Sequence, residues 1–195
     1  MLKNTQHGFR SHRSCTTNLL EYLESITSAI DEGENVDSIY LDFSKAFDKV
    51  PHKRLMLKLK SFGIDGKLLK WISEWLQGRM QRVVTSGCKS DWAKVLSGVP
   101  QGSVLGPLLF IMYINDLDDV VGCEVSKFAD DTKIFQRICT DDARNTLQQD
   151  LNRLGEWSEK WQMKFNEDKC NVMHFGSSNP KKKYTLNDVD FIIII

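Results

Sequence analysis

The sequence of 195 residues predicts an α+β fold, and three observations carry the prediction. Stretches with apolar residues at helical spacing are interleaved with short apolar or alternating runs of strand character. One of those runs, Phe128-Ala129-Asp130-Asp131-Thr132-Lys133-Ile134-Phe135, places two adjacent carboxylates between apolar flanks, which predicts a hairpin with the acids at its tip. The composition, 41% hydrophobic and 27% charged, is that of one globular domain or most of one, with enough apolar content for a real core.

Residues 6–14 are polar and basic and predict a loop, in which Arg10 and Arg13 are available to phosphates. Thr16 or Thr17 is expected to cap a helix over about 18–31, where Leu19, Leu20, Leu23, Ile26, Ala29 and Ile30 recur at helical spacing and Gly33 follows. Residues 36–43 predict a strand, central because Ile39-Tyr40-Leu41 is a short apolar run. Asp42 closes it, either as a metal ligand or as the N-terminal cap of a brief helix that stops before Pro51. Two helices are expected over about 52–62 and 67–77, with Lys53, Arg54, Lys58, Lys60, Lys67 and Lys70 on their outer faces.

Residues 79–85 and 91–96 alternate polar and apolar around Ser86-Gly87 and predict a hairpin. The segment 97–107 is dense in turn residues and leads into an apolar helix over about 108–117. Its glycines allow close approach of backbone to a ligand, and the Gln101 amide can meet a base or sugar edge. A long amphipathic helix is expected over 141–162, with Ala143, Leu147, Leu151, Leu154 and Trp161 in its buried stripe. Residues 163–166 and 172–175 predict a strand pair with Lys169 in the link, and one more strand is expected from Tyr184. The last run, 191–195, is short, sticky and strand-like, and reads as the end of a truncated frame.

Formal net charge is zero, but its distribution is uneven. Residues 42–94 hold twelve Lys/Arg against five Asp/Glu, whereas residues 113–159 hold five against eleven. That is the pattern of a polyanion-binding surface beside a metal-binding cleft, and equally of ordinary surface variation. The five cysteines form no C-x-x-C pair and no signal peptide precedes them, so a reduced, intracellular protein in nucleus or cytoplasm is expected, with no structural zinc. No apolar run approaches a membrane span.

Two carboxylates side by side repel, and each favours a nearby cation. Mg²⁺ takes hard oxygen ligands, typically one or two carboxylates plus substrate phosphates, so a divalent metal is the simplest partner for Asp130 and Asp131. Taken alone, an Asp-Asp pair is more often a solvated turn, and it is the company it keeps that shifts the balance.

That company is Tyr40-Leu41-Asp42-Phe43-Ser44-Lys45-Ala46-Phe47-Asp48, then Gly98-Val99-Pro100-Gln101-Gly102-Ser103, then Phe128-Ala129-Asp130-Asp131, in that order. Gln6-His7-Gly8-Phe9-Arg10 and Asn166-Glu167-Asp168-Lys169-Cys170 flank the set. The ordered set closely resembles the reverse transcriptase of non-LTR retrotransposons, of the jockey-like and LINE type, over residues 6–176, leaving 177–195 as a C-terminal tail.

The resemblance implies a polymerase palm, an antiparallel sheet backed by helices, with only part of the fingers and no thumb. It implies an RNA-directed DNA polymerase working with two Mg²⁺ or Mn²⁺ ions on an RNA template, a DNA primer and a dNTP. Asp42 matches the first metal-binding aspartate, Asp130 the second and Asp131 the third, with the Phe43 carbonyl as a further ligand. Phe47 matches the bulky residue under the incoming sugar that excludes a 2′-hydroxyl, and Gln101 and Gly102 the loop against the nascent base pair. Lys169 matches a lysine that assists pyrophosphate departure. Arg10, Lys67 and Lys70 are candidates for nucleic-acid contact. The physics agrees: phosphoryl transfer needs charge neutralised and groups aligned, and two ions about 3.5–4 Å apart clamp the attacking and leaving oxygens. The alternative is an inactive, truncated or domesticated palm that at most binds nucleic acid or protein.

Overall fold

The computed structural model describes residues 1–194. Its centre is a five-stranded sheet in the order β11-β8-β1-β7-β6, where β1 is Val36–Leu41, β6 Glu124–Phe128, β7 Asp131–Arg137, β8 Asn171–Phe175 and β11 Ile192–Ile194. β6, β7, β1 and β8 pair antiparallel, and β11 joins the outer edge of β8 in parallel. The expected antiparallel sheet therefore becomes mixed. A parallel neighbour needs a crossover, and here residues 176–191 supply it through the small hairpin β9 (Thr185–Leu186) and β10 (Val189–Asp190), with Tyr184, Leu186 and Phe191 buried in the core.

Period-two alternation decides what each sheet face meets. Ile39, Leu41, Ile134 and Val172 point into the main core, against α5 (Leu105–Tyr113) and α6 (Asp141–Trp161). Val36 and Phe135 point the other way, against Tyr22, Ile26 and Ala29 of α1 (Cys15–Asp31). The α1 helix starts earlier than its sequence predicts. Ser14, not Thr16 or Thr17, is the N-cap, and Thr17 completes a reciprocal capping box with it. Its buried stripe is Asn18, Tyr22, Ile26 and Ala29, which leaves Leu19, Leu20, Leu23 and Ile30 exposed.

The short α2 (Ala46–Lys49) begins after Lys45, so Asp42 does not cap it. α3 (His52–Ser61) and α4 (Gly66–Leu76) follow as predicted, with one correction. Lys58, expected on an outer face, is buried. Its ammonium lies 3.6 Å from the Trp161 ring centroid, near the Trp157 and Tyr113 rings, and is paired with Asp116. An ion pair plus aromatic faces offsets the desolvation that otherwise keeps lysine at the surface. Residues 163–166 form no strand with 172–175. Phe165 instead bridges to Phe43, while β8 pairs with β1. The hairpin at 80–94 forms as two short ladders, β2 with β5 (Met80–Gln81 and Ala93–Lys94) and β3 with β4 (Val84–Thr85 and Cys88–Lys89).

Candidate active site

The site grows from strand register. Leu41 is opposite Thr132, so Asp42 leaves β1 beside the turn joining β6 to β7. Phe128 pairs with Asp131, which makes Ala129-Asp130 the two-residue link. The sequence predicted an Asp-Asp link; in the structure Asp131 is already the first residue of β7. Ala129 takes the left-handed conformation (φ +56°) that such a turn demands and that a side chain disfavours.

Tyr40 and Asp42 on one strand, and Asp131 and Lys133 on the next, are each two residues apart and therefore share a face. Together with Lys169 they line a cavity of about 470 Å³, whose far wall is the start of α1 at Cys15, Asn18 and Leu19. The Lys169 ammonium lies 3.9 Å from Asp42 Oδ2. Lys133 donates to Asn18 Oδ1 at 3.0 Å and sits over the Tyr22 ring. Burial lowers the Lys133 pKa, and the Asp131 carboxylate opposes that. A larger cleft of about 810 Å³, lined by Lys49, Phe165 and Glu167 among others, contains none of the three aspartates.

Asp130 stands apart from the cavity lining, at the turn itself. Burial pushes its carboxyl above the usual carboxylate range, and the charges of Asp131 and Asp42 push it further up. Asp130 therefore lies within reach of the charges of both other carboxylates. Among the described residues no three metal-ligating side chains close into a cage, so this chain offers carboxylates on an open face rather than a complete coordination shell. The next residue, Phe43, brings a main-chain carbonyl. Asp42 O accepts from Asn166 N–H at 2.7 Å, and Ser44 N–H donates to Lys164 O at 2.9 Å. Peptide groups alternate sides along extended chain, so the Phe43 carbonyl faces the opposite way, toward β7, and accepts no hydrogen bond among the described residues. Hard oxygens of this kind suit Mg²⁺, which keeps several ligands from water and substrate phosphates.

Phe47 stacks on Phe110 at 4.4 Å between centroids and meets the edge of Phe9 at 6.2 Å. The turn-rich loop is fastened directly to Phe47's neighbours. Val99 N–H donates to Phe47 O at 2.8 Å, Gly98 N–H to Val50 O at 2.8 Å, and the Gln101 amide to Asp48 Oδ1 at 2.9 Å. Gly98 (φ +90°) approaches so closely that a Cβ there would lie 2.7 Å from Asp48 Cα. Gly102, also at positive φ, turns in open space.

Arg10 is turned inward: its guanidinium donates to Lys3 O and Gln6 O. Lys67 and Lys70 lie exposed on α4 and do not line the aspartate cavity; Lys70 pairs with Glu74 one helical turn on. The sequence reading passed over Tyr40, Lys133 and Asn18. The first two were accessible to it, since a position two residues from a strand aspartate shares its face. Asn18 was hidden because polar residues on an amphipathic helix are expected outside.

Residues 1–191 match the family described as reverse transcriptase (RNA-dependent DNA polymerase). The chain belongs to the reverse transcriptase family. It is 32% identical over 182 residues to an RNA-directed DNA polymerase from mobile element jockey of Drosophila funebris, covering 89% of this chain and 20% of that protein. It is 34% identical over 176 residues to a probable RNA-directed DNA polymerase from transposon X-element of Drosophila melanogaster, covering 87% of this chain and 19% of that one. The chain thus spans about a fifth of the length of these curated relatives, and the resemblance to reverse transcriptases of jockey-like non-LTR retrotransposons holds across most of it. Its fold is shared with telomerase from Candida tropicalis, solved with a fragment of telomeric RNA, at a TM-score of 0.63 and 12% identity over 88% of this chain and 31% of that one. No helix among the described residues is long and apolar enough to cross a membrane.

Proposed function

We propose that this reverse transcriptase chain is the palm of a polymerase that extends a DNA primer on an RNA template, joining a dNTP to the primer 3′-hydroxyl. The observation that carries the reading is that Asp42 and Asp131 line one cavity where β1 adjoins the β6–β7 turn, with Asp130 in the turn itself. These carboxylates and the Phe43 carbonyl would hold two Mg²⁺ or Mn²⁺ ions, which when bound would supply charge neutralisation for the attacking oxygen and the pyrophosphate.

The remaining roles belong to the chain itself. Phe47, backed by Phe110, forms a flat apolar wall under the sugar. Gln101 and Gly102 lie in a loop hydrogen-bonded to residues 47–50, so wall and loop form one unit against the nascent base pair. Lys169, next to Asp42, presents a cation to the departing pyrophosphate. Lys133, Lys67, Lys70 and their basic neighbours hold nucleic-acid phosphates, with Arg10 buttressing the loop it packs within. The five cysteines are all free thiols, which supports work inside the cell, in nucleus or cytoplasm.

The test grafts residues 6–176 into a complete related polymerase and follows extension of a DNA primer on an RNA template. Extension that disappears with Asp42→Asn and with Asp130→Asn is expected. Extension that survives either substitution overturns the assignment.

A further inference from the structure

The turn that presents Asp130 is held by a residue from the far end of the chain. Gln6 is 1% exposed. Its Nε2 donates to the Ala129 carbonyl at 3.0 Å, and its Oε1 accepts from the Ala129 N–H at 2.8 Å and the Gly8 N–H at 2.7 Å. Only one orientation of the amide satisfies all three partners. The side chain so mimics a neighbouring strand, bonding both polar groups of one turn residue. The flanking backbone extends the pattern: Lys127 N–H donates to Thr5 O and His7 N–H to Lys127 O, both at 2.8 Å, along the free edge of β6. Gly8 closes the contact from the other side, where a Cβ would come 2.3 Å from the Ala129 nitrogen.

Ala129 has reason to be held. A non-glycine residue at φ +56° is strained, and its relaxation would rotate the peptide that leads into Asp130.

We propose that Gln6 is a positioning residue for the metal-binding turn: its amide locks Ala129 in the left-handed conformation and so fixes the Asp130 carboxylate beside Asp42. The inference rests on the polymerase reading of the aspartates, and the experiment separates the two. The probe is Mn²⁺ titrated into the 195-residue protein, read by paramagnetic broadening of backbone amides near Asp42 and Asp130, with hydrogen exchange of the Ala129 amide followed in parallel. Removing the two bonds to Ala129 in Gln6→Ala should weaken Mn²⁺ binding by roughly fivefold or more and speed Ala129 exchange by a similar factor. Gln6→Glu keeps the accepted N–H bonds but opposes two oxygens at Ala129 O, so its effect should be intermediate. Gly8→Ala displaces the turn without touching Gln6 and should reproduce the effect of Gln6→Ala.

If Gln6→Ala folds poorly, judged by the dispersion of the remaining amide signals, Gln6→Glu and Gly8→Ala decide the matter. Unchanged Mn²⁺ broadening and Ala129 exchange in these variants, with broadening lost in Asp42→Asn, overturns the role of Gln6 and leaves the polymerase reading standing. Broadening absent from the unsubstituted protein, or indifferent to Asp42→Asn, overturns the metal reading and this inference with it.

Discussion

Two hairpins of this reverse transcriptase chain have similar sequence signatures and opposite fates. The β6–β7 hairpin is flanked on one side by β1, which buries Ile134 against Ile39, and is gripped at its turn by Gln6. The hairpin over residues 80–94 has ladders of two residues each and is exposed throughout that span. Both carry alternating strands around a tight link, so pattern alone does not separate them. What separates them is the partner on the outer face. A two-stranded ribbon without a third strand or a helix to cover it is marginal in water, while a ribbon inside a sheet is held by its neighbours. The first can hold carboxylates at fixed separations; the second can only present groups to whatever arrives.

The largest test of this contrast is functional. Removing one charge of the rigid hairpin, Asp130→Asn, or of its neighbour, Asp42→Asn, should lower primer extension in the grafted polymerase by on the order of 100–1,000-fold or more, as loss of one preorganised electrostatic group does elsewhere. Stability should move the opposite way. The Asp130 pKa is raised in the folded state, so the fold binds that proton more tightly than the unfolded chain does. Stability from this group is therefore present at pH below the ordinary carboxylate range and lost as pH rises through the raised value. At neutral pH Asp130→Asn should leave the Tm unchanged or higher, and thermal melts at pH 4 and pH 7 check the sign. A lower Tm at neutral pH would mean that the turn depends on the charge.

Next in size is the sugar-gating role proposed for Phe47. Excluding a 2′-hydroxyl from apolar carbon leaves it unpaired at a cost of about 1–3 kcal/mol, which is roughly 5- to 150-fold in preference for deoxynucleotides. Phe47→Val should erase most of that in competition between dNTP and rNTP, because the ring stacked on Phe110 is gone. Unchanged discrimination with extension intact would show that Phe47 only fills the core. Gly98→Ala acts on the same unit by a different route. The new Cβ has no room against Asp48 backbone, and its φ of +90° disfavours any side chain. A loss of about 1–3 kcal/mol in urea unfolding is expected, with the loop bearing Gln101 displaced.

How far the sequence foretold these elements follows from where the information sits. The central strand, the two basic helices, α6 and the acidic hairpin were legible because their burial imposes a local period on the chain. That Asp42 lies near the acidic hairpin was suggested only by the order of motifs, since no local pattern says which strands adjoin; the order did not reveal that Asp131, rather than Asp130, shares the cavity with Asp42 and Lys169. The position of the turn was missed by one residue because Ala129 is an unusual choice for positive φ, tolerated only with Gln6 attached from 123 positions away. Lys58 was misjudged for a related reason. The aromatic box around it is assembled from Tyr113, Trp157 and Trp161, none near it in sequence. Likewise the leucines of α1 repeat at helical spacing yet stay outside, because Asn18 and Tyr22 bond to Ser126 and Ser38 and so claim the inner face.

The smallest expected effect concerns the exposed hairpin, and it asks whether a weakly held ribbon contributes anything. Arg79, Arg82, Lys89 and Lys94 lie in or beside it against a single acid, Asp91, and the Arg82 guanidinium sits 4.5 Å over the Trp92 ring. Replacing Arg82, Lys89 and Lys94 with glutamine disturbs no buried packing, so unfolding free energy should change by no more than about 0.5 kcal/mol per site. Affinity for a primer-template duplex should fall, and the slope of log K against log salt should flatten by roughly 0.7–0.9 for each phosphate that is no longer neutralised. The parallel substitution of Lys67 and Lys70 on α4 measures the same quantity on a rigid support. If the helix variants flatten the slope and the hairpin variants do not, the ribbon's charges are solvated surface. If both flatten it with stability unchanged, the rigid hairpin holds the chemistry while the loose one helps to hold the strand being copied.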